Sequence, residues 1–218
     1  MNTPRTLIFI GPQASGKGTQ AKLLAQKING LYIGTGSMFR KIAKEDTEFG
    51  RYIKEVLDSG ALVSDKDVEE MLRENLDSTS DEQRVIFDGV PRRLSQAEFL
   101  VNYMKSLGKD DIATFYIKLS REEAISRMSA RRVCVACDAA HKIADPENIK
   151  DCIKCGGKLV QRADDMPEAI QKRLDIYYHD TLPVLDYLKE HSNFYEIDGT
   201  KSIEDVQNEI NQTLGITG

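Results

Sequence analysis

The chain has no apolar run long enough to cross a membrane, no internal repeat, no low-complexity tract and no cysteine outside one short window. Each absence removes a class of protein. The first apolar run, Thr6-Leu7-Ile8-Phe9-Ile10-Gly11, is far too short for a signal-peptide core or a membrane span, so neither export nor a membrane partner is expected and the expected setting is cytoplasmic. The guanine signature Asn-Lys-x-Asp of a GTPase switch is also missing. His141, His179 and His191 are too scattered to form a site with one another and read as surface or packing residues. What remains is an ordinary globular composition: 218 residues, 40% hydrophobic and 30% charged, enough for a substantial core in one large or two small domains.

Net charge is −5, which argues against a surface that embraces nucleic acid. The charge is uneven. Between Arg127 and Arg162 eight Lys or Arg face four acids, a local +4 on a remainder of −9, and such an island suits a small polyanion. Cys134, Cys137, Cys152 and Cys155 all lie inside it as two Cys-x-x-Cys pairs with fourteen residues between. Without a secretory signal, that pairing points to metal rather than disulfides, and four thiolates suit a tetrahedral Zn²⁺ with no open position, a structural ion. Unmetallated buried cysteines or a redox pair are the alternative.

Short β-rich apolar runs recur at Leu7–Ile10, Leu31–Ile33, Val85–Phe87, Thr114–Leu119 and Phe194–Ile197, separated by amphipathic helical stretches. This rhythm predicts an α/β fold with a parallel sheet covered on both faces and a ligand at the carboxyl ends of its strands. Gly36–Val63, which reads as short helices, and Val133–Gln161, which holds the cysteines, break the rhythm and look like insertions at motif-bearing strand ends. Tyr177-Tyr178 and the helix around Leu182–Leu188 read as packing.

Gly11-Pro12-Gln13-Ala14-Ser15-Gly16-Lys17-Gly18-Thr19 follows the first strand and opens a helix, the order a phosphate-binding loop requires. Its backbone N–H groups and helix N-terminus would cradle phosphates that Lys17 reaches, although a tight strand-to-helix turn is the plainer alternative. Gly18 occupies the position where many such loops carry Ser or Thr, and Thr19 follows it with a hydroxyl for Mg²⁺ or phosphate. Asp88 ends the run Val85-Ile86-Phe87 and could hold Mg²⁺ directly or through water, or simply cap a turn. Arg127 and Arg131, four apart on a predicted helix, share a face with Arg132 adjoining, and Arg162 and Arg173 follow the cysteine insertion. A lone arginine usually solvates a surface; five bracketing an insertion beside a phosphate loop point to phosphoryl transfer, which needs positioned positive charge above all.

Together these residues resemble the adenylate kinase family over almost the whole chain. Thr35-Gly36-Ser37-Met38-Phe39-Arg40 resembles the family's Thr-Gly-Asp-Met-Leu-Arg, Asp88-Gly89-Val90-Pro91-Arg92 its Asp-Gly-Phe-Pro-Arg, and Arg162-Ala163-Asp164-Asp165 its Arg-x-Asp-Asp, while Arg131-Arg132-Val133 opens the lid as it does there. The resemblance implies a three-layer P-loop kinase fold around a five-stranded parallel sheet, with a core of 1–34, 64–130 and 163–218, an AMP-binding flap over 35–63 and a zinc-bearing lid over 131–162. It implies reversible transfer from MgATP to AMP giving two ADP, by in-line attack of an AMP phosphate oxygen that needs no general base, in a monomer. Carried over by position, Gln13, Ala14, Ser15, Gly16, Lys17, Gly18 and Thr19 with Arg127 and Arg131 would bind ATP. Thr35, Arg40, Val63, Gly89, Arg92, Gln96, Arg162 and Arg173 would bind AMP, with Gln96 as the adenine-reading glutamine. Lys17, Arg92, Arg127, Arg131, Arg162 and Arg173 would be catalytic, Asp88 would hold Mg²⁺ through water, and Asp164 and Asp165 would orient the lid. The alternatives are a kinase of UMP or CMP, whose lid is usually short, a GTP-using AMP kinase, or a zinc-ribbon module for nucleic acid.

The chain departs from the family at Gln13 and Ala14, where Pro and Gly are usual, at Val90 for Phe and at Arg93 for Thr. Ala14 is expected to sit in a conformation that alanine tolerates, not at positive φ. Val90 is expected to leave less apolar surface near AMP.

Overall fold

The structure, a computed structural model, describes residues 3–77, 79–137, 139–143 and 150–216, the side chain at 142 apart. Position 138 and the stretch 144–149 of the expected lid lie outside the described residues.

The five apolar runs become strands β1 (Thr6–Ile10), β2 (Leu31–Gly34), β3 (Val85–Asp88), β4 (Ile112–Lys118) and β8 (Asn193–Asp198), in one sheet of order β2-β3-β1-β4-β8. Every pairing is parallel. Alternate side chains of β1 serve different layers: Ile8 and Ile10 pack with α4 (Asp65–Leu76), α5 (Leu94–Ser106) and α8 (Val184–His191), whereas Leu7 and Phe9 pack with α1 (Lys17–Lys27) and α9 (Ile203–Thr213). All five β1 residues are buried. Their burial on both faces, worth about 1.5–3 kcal/mol for each large apolar side chain, explains why the strand reads as a continuous apolar run. The register opposes Phe9 to Asp88 and to Phe115, and Gly34 to Asp88, which lines up the carboxyl ends of β1 to β4 along one edge.

Both insertions emerge from that edge. One carries α2 (Thr35–Ile42) and α3 (Glu48–Asp58). Beyond α6 (Arg121–Ser129), the other forms a second, three-stranded antiparallel sheet of β5 (Arg131–Cys134), β6 (Ala140–Lys142) and β7 (Leu159–Val160), order β6-β5-β7. It has its own small cluster of Cys134, Ile143, Cys152 and Leu159. A 3₁₀ turn (Ala163–Asp165) returns the chain to α7 (Pro167–Ile176), and a π-helical turn (Tyr177–Thr181) leads to α8.

One sequence reading is corrected here. Arg127 and Arg131 do not share a helical face, because α6 stops at Ser129 and Arg131 is the first residue of β5. Pairing of Arg131 with Lys142 and an N–H from Ile143 to the Ala130 carbonyl (2.9 Å) draw the chain out of the helix at that point. Arg132 folds back to donate to the carbonyls of Ser129 (3.1 Å) and Arg131 (2.8 Å).

Candidate active site

Helix starts separate the cleft from the rest of the molecule. Helices α3, α4, α6 and α9 begin with a Thr or Ser side chain capping an N–H and an acid in the first turn. Helices α1, α2 and α5, which follow β1, β2 and β3 at the carboxyl edge, have neither. Their first N–H groups and partial positive charge therefore remain available to an anion.

The loop before α1 turns at Gly16, φ +94°, a conformation that costs a side chain 1–2 kcal/mol at order of magnitude. Ala14 also lies at positive φ, +59°, contrary to the expectation above. It is a part-buried neighbour of Leu119, Ala124, Met128, Ile170 and Leu174, so its methyl packs between α6 and α7 and offsets the strain. Gln13 ties the loop to α7 by donating Nε2 to the Arg173 carbonyl (3.1 Å). The Ser15 hydroxyl is buried without a partner. Gly18 has a local reason: a Cβ there would lie 2.6 Å from Asp88 Oδ2. The absence of a side chain at 18 lets the carboxylate stand against the helix, where Tyr32 donates its hydroxyl to Oδ2 (2.8 Å). Burial first, then Asp88, pushes the Tyr32 phenol pKa well above its usual value, so it remains a donor.

Above this loop the cations converge. Lys17 donates to the Pro12 carbonyl (3.1 Å), and its pKa falls to about 8 because burial, reinforced by Arg92, Arg173 and Arg131, outweighs the attraction of Asp88. Arg92 donates Nε to the Gly89 carbonyl (2.8 Å), and burial with the nearby Arg173 brings its pKa down to about 10. Arg162 is likewise lowered to about 10, by burial and then by Arg40 and Arg131. The Nε atoms of Arg40 and Arg162 are buried without partners. Asp165, fully buried, grips Arg131 through both carboxylate oxygens and accepts from Arg173 (3.1 Å), which also pairs with Asp164 (3.0 Å). Two acids thus orient two arginines, while Lys17, Arg92 and Arg162 stay lowered by burial and neighbouring arginines despite the attraction of Asp88, Asp164 and Asp165, an arrangement complementary to a dense anion. Arg127 pairs with Glu123 (2.7 Å) and donates to the carbonyl of Gly199 (2.9 Å), a residue whose Cβ would lie 3.1 Å from the Ser15 carbonyl of the loop. The described Lys109 is also buried, but its ammonium donates to the carbonyls of Ser80, Asp81 and Gln83 (2.7, 2.9 and 3.0 Å), a structural tie far from this group.

Beside Arg92 a cavity opens between α2, α3, α4 and the end of β3. Phe39, Leu57, Val63 and Val68 give it apolar walls, and Thr35, Gly89, Arg92 and Gln96 give it polar ones. The Thr35 hydroxyl fixes the mouth by donating to the Gly89 carbonyl (3.0 Å). Val90 does not line it; the residue is 1% exposed and packs in the core, which corrects the expectation that it borders AMP.

The four cysteines are free thiols, and all four Sγ atoms lie within 4.8 Å of one another. Sγ atoms of Cys134 and Cys155 are 3.5 Å apart and those of Cys137 and Cys152 3.7 Å, close to the roughly 3.8 Å that tetrahedral thiolates about 2.3 Å from zinc would have. The donor set and spacing are compatible with zinc. Gly157 permits the approach, since a Cβ there would meet Cys134 Sγ at 2.8 Å. His141, expected as a surface or packing residue, is half-buried, and its Nε2 lies 3.2 Å from Cys152 Sγ.

Of the residues named from sequence, Lys17, Arg40, Arg92, Arg131, Arg162 and Arg173 come together, Thr35, Val63, Gly89 and Gln96 share the cavity, and Arg127 is tied to Glu123 and Gly199. Sequence reasoning missed Tyr32, Asp65 and Thr181, whose hydroxyl donates to the Arg92 carbonyl (2.9 Å). Only their apposition in space reveals them.

A phosphate loop feeding a ring of arginines at the switch point of a parallel sheet defines a P-loop phosphotransferase. A family model described as Adenylate kinase matches residues 9–193. Among curated proteins, an "Adenylate kinase" of Archaeoglobus fulgidus is 40% identical over 210 residues, covering 95% of this chain and 97% of the relative. Those of Petrotoga mobilis (38%, 94% of each chain) and Syntrophotalea carbinolica (39%, 96% and 98%) agree with it. The chain belongs to the adenylate kinase family, enzymes that phosphorylate AMP and use Mg²⁺ with the nucleotide. No helix among the described residues is long and apolar enough to cross a membrane.

Proposed function

We propose that the loop Gln13–Thr19 and Lys17 hold the donor phosphates, with Arg127 and Arg131 beside them, and that Thr35, Arg40, Val63, Gly89, Arg92 and Gln96 with Arg162 and Arg173 hold AMP. An α-phosphate oxygen of AMP attacks the γ-phosphorus of ATP in line; the new P–O bond forms as the bond to the β-bridging oxygen breaks, and both products are ADP. No proton has to move, because the attacking oxygen is already an anion near neutral pH. Lys17, Arg92, Arg131, Arg162 and Arg173 would neutralise the charge that spreads over the transferring group. Mg²⁺ bound with the nucleotide supplies further charge neutralisation, and Asp88, steadied by Tyr32, is the side chain to hold it through water. The observation that carries this reading is that Lys17, Arg92 and Arg162 are each lowered first by burial and then by neighbouring arginines, Arg92, Arg173 and Arg131 at Lys17, Arg173 and Arg40 at Arg92, Arg40 and Arg131 at Arg162, a cost that an anion held among them relieves.

On this reading α2 and α3 form the acceptor flap, and β5 to β7 form a lid whose cysteines bind a structural zinc. The protein acts as a cytoplasmic monomer. The long cysteine-bearing insertion and the pairing of Thr35 with Gln96 favour AMP over UMP or CMP, whereas ATP and GTP would use the same phosphate contacts. A coupled assay across donor and acceptor nucleotides, with zinc measured on the same sample, tests this. Turnover should be greatest with AMP and about one zinc should accompany each chain; turnover with UMP or CMP but not AMP would overturn the acceptor assignment.

A further inference from the structure

Next to the acceptor cavity a polar network surrounds the Gln96 amide. Gln96 is 2% exposed and lines the cavity. Its Oε1 accepts from the Arg92 backbone N–H (2.8 Å), and its Nε2 donates to Asp65 Oδ1 (2.8 Å). The same Oδ1 accepts from Arg93 Nη1 (2.8 Å), and Oδ2 accepts from Ser95 (2.6 Å). Arg93, which replaces the family's usual Thr, also lies 3.8 Å from Asp180 on the π-helical turn. Burial tends to raise the Asp65 pKa, but hydrogen bonds from Ser95, Arg93 and Gln96 outweigh it and hold the group below the usual carboxylate value. Asp65 therefore only accepts.

A primary amide has two N–H donors and two oxygen lone pairs. Each end of Gln96 has used one, which leaves one donor and one acceptor in a fixed order. A free glutamine can flip, and so can read either a 6-amino purine, which accepts at N1 and donates from its amino group, or a 6-oxo purine, which does the reverse. Flipping here would set Oε1 against a carboxylate and Nε2 against an N–H, two buried clashes.

We infer that Asp65, held by Arg93, acts with the Arg92 backbone N–H to lock the Gln96 amide in one orientation and thereby sets the acceptor site's preference for a 6-amino over a 6-oxo purine nucleoside monophosphate. Asp65 and Arg93 are positioning residues, and the inference rests on the reading of Gln96 as the residue that meets the acceptor base. The test is kcat/KM for AMP and for inosine 5′-monophosphate in the unaltered protein, Asp65→Asn, Arg93→Thr and Gln96→Ala. Asparagine can donate as well as accept, so Asp65→Asn should lower the AMP-to-IMP ratio about tenfold, the scale of one buried hydrogen bond, chiefly by improving IMP. Arg93→Thr should move it the same way. The ratio is taken within one preparation, so a reduced folded fraction does not affect it. An unchanged ratio in Asp65→Asn and Arg93→Thr, with collapse in Gln96→Ala, overturns the lock and spares the glutamine's role. An unchanged ratio in Gln96→Ala removes that role, and the inference with it.

Discussion

Lys17 is attracted by Asp88 yet has a pKa near 8, because burial and three arginines outweigh that attraction. In the free enzyme its ammonium is thus lost as pH rises through about 8, and kcat/KM should fall on an alkaline limb there, while the guanidiniums of Arg92 and Arg162, near 10, remain charged. Stability should run the opposite way. From about 8 up to the unperturbed 10.5 the unfolded chain binds more protons at this site, so the penalty of the buried charge, full below pH 8, is relieved as pH rises. A kcat/KM profile flat to pH 10 would contradict this. Lys17 was legible because its role follows from local order, strand, loop and helix. Tyr32 and Asp65 were not, since Tyr32 meets Asp88 across 56 residues and Asp65 meets Gln96 across 31. Ala14 was misread because a steric rule for the isolated residue took no account of the apolar neighbours its methyl packs against.

The second sheet shows what an element needs when it has little core. Its strands are four, three and two residues long, and its buried cluster is Cys134, Ile143, Cys152 and Leu159, too little apolar surface to fold alone. If zinc joins the four thiolates, its binding free energy, of order 10 kcal/mol or more for structural sites, becomes the sheet's folding free energy. Removing metal with a chelator should therefore melt this sheet in a separate, lower transition in calorimetry, with the main transition moved by only a few degrees; one unchanged transition would exclude a structural metal. The cysteine spacing announced the cluster, but the strands escaped notice. They are pinned by knuckle hydrogen bonds such as Cys134 N–H to Ala139 and Cys152 N–H to Gly157, which leave no alternation to read. The same pull from β5 ended α6 before Arg131 and spoiled the helical spacing.

Across the whole molecule, a chain of net charge −5 gathers its cations where the ends of β1 to β4 meet. The parallel sheet was legible from apolar runs separated by helices; the order β2-β3-β1-β4-β8 was not, because runs buried on both faces carry no mark of their neighbours. Gathering like charges there opposes folding and serves only an anionic ligand, so the cleft should be a place where function and stability pull apart. Lys17→Ala tests this most directly, with AMP phosphorylation and melting temperature measured on the same sample. The account expects turnover to fall by roughly a hundredfold or more, the scale of losing one positioned donor, with a melting temperature equal to or above that of the unaltered protein. Turnover within a few-fold of the unaltered protein, from a chain that melts normally, would contradict it.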